Sequence, residues 1–364
     1  MNTITASSTT GAPPPAARRR HGRLAWVLRV LLVLLIALLA LAAIGGIYQL
    51  VATATDRRSS PAPGQLVDVG GYQLHIHCIG EGSPTVVLEA AAAATSAHWS
   101  WVQPDLATGT RVCAYDRAGM GWSDRGPKPR DAHQIASELH TLLTRAGVPG
   151  PYVLVGHSFG GLYVRAYAAD YPGEVAGMVL VDATHPDLWK HLPAELSKPP
   201  DKQPLGWFPI LAGLGLVRLG LFDPFPVDSD LPVKQRSEIT ALTASTRSMA
   251  TIAAELGAFS ATAAQVGDAS HLGGIPLVVL TSEDAYVAYS GELDAQANRV
   301  WKDLQTELAA LSSNSVHREI AGTTHESLVN REHDAQATSA AIRQVVEAVR
   351  TGRPLAHQAH SFDY

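Results

Sequence analysis

The chain has 364 residues, 46% of them hydrophobic and 17% charged, with a formal charge of −5 at neutral pH. That length accommodates one large globular domain plus additional segments, and the mild negative charge offers nucleic acid no basis for binding. Cys78 and Cys113 lack the CxxC spacing of a zinc or thioredoxin-like site, and the 15 histidines are scattered rather than grouped as ligands. His75 and His77 lie two apart with no third ligand in view, so neither a metal nor a cofactor is expected.

Residues 1–29 are rich in Ser, Thr and Pro and end in arginines (Arg18, Arg19, Arg20, Arg23 and Arg29), the composition of a disordered basic tail. Residues 30–55 contain no charged side chain, and Val30 to Ala43 is apolar throughout. About 20 such residues, at about 1.5 Å each, cross a bilayer core. The segment is therefore read as a transmembrane anchor. Its flanking arginines predict a cytoplasmic N-terminus and an extracytoplasmic remainder. Ala40-Leu41-Ala42 and Ala52-Thr53-Ala54 also resemble signal-peptidase sites, which leaves a cleaved, secreted form as the alternative. Residues 56–65, DRRSSPAPGQ, read as a linker.

Strand and helix patterns alternate from Leu66. LVDVGGYQLHIHCIG reads as a hairpin turning at Gly70-Gly71, and SPTVVLEA and TRVCAYDRAG read as short strands ending in polar loops. DAHQIASELHTLLTRAG is an amphipathic helix, with Asp131 as its cap, a stripe of Ile135, Leu139, Leu142 and Leu143, and Gly147 at its end. Further strands follow at VAGMVLVDA, IPLVVLTS and VHREIAGTTHE, each with helical sequence after it. This alternation predicts a mostly parallel sheet covered on both faces, with functional groups in loops at the carboxyl ends of the strands. Residues 184–274 interrupt the alternation. Their apolar stretch LGWFPILAGLGLVRLGLFDPF, broken by Pro209 and four glycines, reads as a helical lid rather than a second span.

PYVLVGHSFGGLYVRAYAADYP carries the strongest chemical signal. A buried strand, Tyr152 to Val155, runs into Gly156-His157-Ser158-Phe159-Gly160 and then into a helix closed by Pro172. Serine is a weak nucleophile unless a base accepts its proton and its oxygen is held clear of the backbone. Gly-x-Ser-x-Gly between strand and helix achieves that presentation, and the helix N-terminus directs amides at developing negative charge.

With this elbow, and with YDRAGMGWSD at residues 115–124 matching a D-x-x-G-x-G-x-S loop, the chain resembles the α/β-hydrolase fold superfamily over roughly residues 66–350, leaving 351–364 as a C-terminal tail. The resemblance implies a mostly parallel eight-stranded sheet and the order nucleophile, acid, histidine. His325, in the loop after the last strand, would be the base acting on Ser158. The acid has two candidates: Asp284, after the penultimate strand, and Asp182, directly after the strand that follows the elbow. Haloalkane dehalogenases use the latter position. The oxyanion hole would take the Phe159 amide and one from the loop Glu89 to Trp99, with Ala92 as the candidate. The family usually has glycine there, whereas this chain has Ala90 to Ala94, and Ala91 would have to adopt the glycine's dihedral. The family's strand order also sets the Cys78 and Cys113 strands antiparallel and adjacent, so a disulfide and two buried thiols are both open. The implied activity is serine hydrolysis of a small acyl or aromatic carboxylic ester, membrane-tethered, with no obligate protein partner. An amidase or peptidase on the same triad, or a non-catalytic ligand-binding module, are the alternatives.

Overall fold

The computed structural model describes residues 6–8, 11, 18–267, 271–286 and 291–355. Eight strands form one sheet in the order β1-β2-β4-β3-β5-β6-β7-β8. They are β1 Gln65–Asp68, β2 Gln73–Ile79, β3 Thr85–Glu89, β4 Val112–Tyr115, β5 Tyr152–His157, β6 Val175–Val181, β7 Leu277–Asp284 and β8 Ser315–Thr324. β2 runs antiparallel to both β1 and β4, and every other pairing is parallel. β3, β4 and β5 are buried at every position, as β-branched and aliphatic strands sandwiched between helical layers should be.

The described helices are α1 Arg18–Ser59, α2 Val102–Leu106, α3 Ala132–Arg145, α4 Gly160–Asp170, α5 Leu188–His191, α6 Phe208–Gly213, α7 Val233–Thr243, α8 Thr246–Gly257, α9 Phe259–Gly267, α10 Gly291–Ala309, α11 Ser327–Asn330 and α12 Glu332–Thr351. Two cores flank the sheet. The expected stripe of α3 packs with Leu162 and Ala166 of α4 on one face. Val102 and Leu106 of α2 join Ile342, Val345 and Val346 of α12 on the other. Asp131 caps α3 by accepting a hydrogen bond from the Gln134 amide at 3.1 Å.

α1 differs from the expected boundaries at both ends. It begins at Arg18 and continues to Ser59, so it takes in arginines assigned to the tail and the start of the supposed linker. Leu- and Ala-rich sequence propagates a helix well, and Pro61 is the first breaker beyond it. Among the described residues α1 is the one helix long and apolar enough to cross a membrane. The apolar stretch within 184–274 is not such a helix. It is cut into α6 and successive turns, with Gly215 and Gly220 at positive φ of 77° and 68°. The proposed C-terminal tail lies outside the described residues from position 356 onward.

Cys78 and Cys113 face each other in the β2–β4 register and form a disulfide. The bridge closes a loop with a sequence separation of 35. Chain entropy then predicts that the double variant Cys78→Ala/Cys113→Ala loses about 3–4 kcal/mol, read as a lower urea midpoint, with a steeper slope because the released unfolded chain exposes more surface.

Candidate active site

Three loops at the carboxyl edge of the sheet are strained. Ser158 (φ 53°), Asp182 (φ 44°) and Ala93 (φ 60°) are the non-glycine residues with positive φ among those described. They follow β5, β6 and β3. Each such conformation costs an L-residue about 1–2 kcal/mol, and such costs persist where the surrounding structure enforces them. At Ser158 the cause is steric. A Cβ on Gly156 would stand 2.6 Å from the Gly160 carbonyl oxygen, and one on Gly160 would stand 2.5 Å from that of Glu89. Only glycine allows β5, α4 and the loop after β3 to approach this closely, and the chain between them must turn sharply at Ser158.

His325 enters from the loop between β8 and α11. Its Nδ1–H donates to Asp182 Oδ2 at 2.6 Å. Asp182 is fully buried and also accepts hydrogen bonds from the Ser282 amide (2.9 Å), the Ser282 hydroxyl (2.8 Å) and the Trp301 indole N–H (2.8 Å). Burial opposes its ionisation, but these donors and the His325 charge outweigh burial and hold the carboxyl below its ordinary range. For His325, burial disfavours the imidazolium, yet the hydrogen bond and charge of Asp182, with Glu326, raise its pKa above the usual histidine value. The Trp301 ring stands edge-on to His325, 5.4 Å between centroids at 89°, and fixes the imidazole plane.

Ser158 and His325 line one pocket of about 190 Å³, together with Phe159, Trp189, Tyr286 and Trp301. Asp182 reaches that pocket through His325. Asp284 does not: it lies exposed at the end of β7, and its carboxylate accepts from Asn298 Nδ2 at 3.5 Å. Asp284 pairs in register with Thr324 but is exposed, whereas Asp182, directly after β6 at positive φ, is fully buried against His325. Phe159 opens α4 with φ −56° and ψ −29°, which puts its amide at the helix N-terminus beside Ser158.

The loop after β3 meets α4 where the glycine substitutions above would collide. Ala92 lines a larger neighbouring cavity of about 490 Å³, whose other walls include Val217, Phe225, Met249 and Ile252 of the insertion. The strain expected at Ala91 sits instead at Ala93. Arg117 holds the loop in place by donating to the carbonyls of Ala90 (2.8 Å) and Ala91 (2.9 Å). Its charge is met by Glu89 at 2.6 Å and Glu255 at 3.0 Å, all three side chains being at most 2% exposed. Arg117, Trp301 and Ser282 escaped sequence reasoning. Only Arg117 carried a local signal, its place within YDRAGMG.

His157, inside the elbow, is also buried. Burial and then the nearby His325 charge push its pKa down to about 4. As a neutral ring it donates from Nε2 to the His325 carbonyl at 3.0 Å, tying the elbow to the histidine loop. His75 Nδ1 bonds Asp116 Oδ2 at 2.9 Å, within the loop that begins at Asp116.

Comparison with known proteins agrees with this architecture. Residues 84–220 match the family model described as alpha/beta hydrolase fold. An uncharacterised protein of Schizosaccharomyces pombe is 35% identical over 152 residues, covering 34% of this chain and 28% of that protein. The chain spans less than two fifths of the length of the first curated relatives it matches. An enol-lactonase from Burkholderia xenovorans LB400 superposes with a TM-score of 0.55 at 20% identity, over 78% of this chain and all (100%) of the other. The epoxide hydrolase CorEH does so with a TM-score of 0.56 at 16% identity, over 76% and 96%. The chain has the α/β-hydrolase fold.

Proposed function

We propose that the protein is a serine hydrolase that cleaves carboxylic esters, with Ser158 as nucleophile, His325 as general base and acid, and Asp182 as the carboxylate that orients the imidazole. The observation that carries this is a strained, glycine-flanked Ser158 sharing a pocket wall with a histidine whose far nitrogen is bonded to a buried carboxylate. His325 Nε2 takes the proton of Ser158 Oγ as that oxygen attacks the ester carbonyl. The Phe159 and Ala92 amides receive the oxyanion. Collapse expels the alcohol, protonated by His325, and leaves an acyl-serine. Water, deprotonated by the same imidazole, then releases the acid and restores Ser158. The aromatic lining of Phe159, Trp189, Tyr286 and Trp301 suits an acyl or aromatic ester over a highly charged substrate. Epoxide opening, the named activity of one structural neighbour, proceeds on this fold through a carboxylate nucleophile, and the elbow here holds serine.

Labelling the full-length, detergent-solubilised protein with a fluorophosphonate probe tests the reading. The expected result is stoichiometric labelling that disappears in Ser158→Ala. A folded protein that stays unlabelled would instead identify a non-catalytic binding module. The apolar α1, with arginines in its N-terminal turns, supports membrane attachment with the globular part outside the cytoplasm.

A further inference from the structure

α1 does more than precede the globular part: its distal third packs on the insertion between β6 and β7. A Cβ on Gly45 would collide with the Leu214 carbonyl, and the Tyr48 ring lies against Gly215, 3.1 Å from the position a Cβ would take there. Gln49 is buried. It donates to the Ala244 carbonyl at 2.9 Å and accepts from Arg218 Nε at 3.2 Å. Arg218 also pairs with Asp56 at 2.5 Å. Cleavage after Ala54 would remove Gly45, Tyr48 and Gln49 and leave only Asp56, whereas cleavage after Ala42 would leave all four docking residues in place.

The contact sets a height. Arg29 is the last charge before the apolar run, the next is Asp56, and the 20 residues from Val30 reach the first carboxamide side chain, Gln49. At about 1.5 Å per residue these span roughly 30 Å, the thickness of a bilayer hydrocarbon core. The turn Leu214–Gly215, docked at Gly45 and Tyr48, therefore sits at the outer edge of that core. The same segment of the insertion exposes large apolar side chains: Trp207 (57%), Ile210 (62%), Leu219 (57%) and Leu221 (72%). Exposed apolar side chains grouped on one segment mark an interaction surface, and a tryptophan among them suits the headgroup boundary.

We infer that residues 207–221 form an apolar edge that dips into the outer leaflet beside α1, a lipid surface being its partner. This goes beyond the proposed hydrolysis and rests on the membrane-anchor reading. Val217 within this edge and Phe225 four residues beyond it line the 490 Å³ cavity, so the cavity wall and the lipid contact belong to one piece of chain.

Spin labels on the full chain in phosphatidylcholine–phosphatidylglycerol vesicles test it. The two native cysteines are joined to each other, so single variants Ile210→Cys and Leu221→Cys can be labelled selectively. Leu34→Cys, within α1, and Glu347→Cys, exposed on α12, serve as lipid and aqueous references. The expected result is that labels at 210 and 221 collide more with oxygen than with a nickel chelate, as the label at 34 does, while the label at 347 shows the reverse. Aqueous behaviour at 210 and 221 beside a lipid-like label at 34 overturns the inference and leaves the anchor standing. An aqueous label at 34 overturns both. Low accessibility to both reagents at 210 and 221 also overturns it, assigning the patch to a second copy of the chain. None of these outcomes bears on the fluorophosphonate result.

Discussion

Asp182→Asn should lower kcat on a p-nitrophenyl ester by about 10⁴, the loss expected when the group that sets a catalytic imidazole's tautomer becomes an amide. The site makes this effect large. Asp182 is fully buried and accepts four hydrogen bonds, so an amide NH₂ placed there must face a donor and leave one unpaired. The pH profile gives an independent reading. The base must be neutral, and Asp182 stabilises the charged imidazolium. In the parent protein, activity therefore rises with pH through a midpoint above the ordinary histidine value of 6.5. Without the carboxylate that midpoint moves to lower pH. Asp284→Asn, at an exposed position that does not line the Ser158 and His325 pocket, should leave both kcat and the midpoint unchanged. If it is Asp284→Asn that abolishes turnover, the acid has been wrongly assigned.

Arg117→Met is expected to be the most destabilising single substitution at the site's periphery, by about 3–5 kcal/mol, because it strands buried charge. Glu89 and Glu255 would face each other without their shared cation, each 1% exposed, while the Ala90 and Ala91 carbonyls lose their donors. Burial already pushes the Glu89 carboxyl above its ordinary value despite Arg117, so it would take up a proton readily once the cation is gone. Urea denaturation of the full chain in detergent measures the loss. Adding Glu255→Gln to Arg117→Met should recover part of it, whereas Arg117→Lys keeps the charge and should lose less. At temperatures where Arg117→Met remains folded, kcat should still fall if Ala92 is the proposed oxyanion donor, because the guanidinium holds its loop and one such donor is worth about 10²–10³ in turnover. A variant of unchanged stability would show that the three buried charges contribute nothing net to the fold.

Much of this was legible locally. The Gly-His-Ser-Phe-Gly elbow declares itself because strand, turn and helix are consecutive in sequence, and each glycine answers a contact a few residues away or across one neighbouring loop. Asp131 and the α3 stripe follow from periodicity alone. The acid was not legible: Asp182 and Asp284 each end a strand, and the choice depends on how two loops diverge in space. Trp301 lies 119 residues from the carboxylate it serves. In the alanine-rich loop the positive φ falls at Ala93 rather than at Ala91, whose carbonyl, with that of Ala90, is held by the distant Arg117.

The sequence by itself determined the alternation of strand and helix, the serine's sharp turn and the apolar N-terminal helix, because these depend on backbone preference and on side chains close along the chain. Tertiary structure alone decided which carboxylate meets His325, that Cys78 and Cys113 join, and that the end of α1 rests on the insertion. Those are meetings between distant segments, where burial and hydrogen-bond satisfaction select one pairing among several the sequence allows.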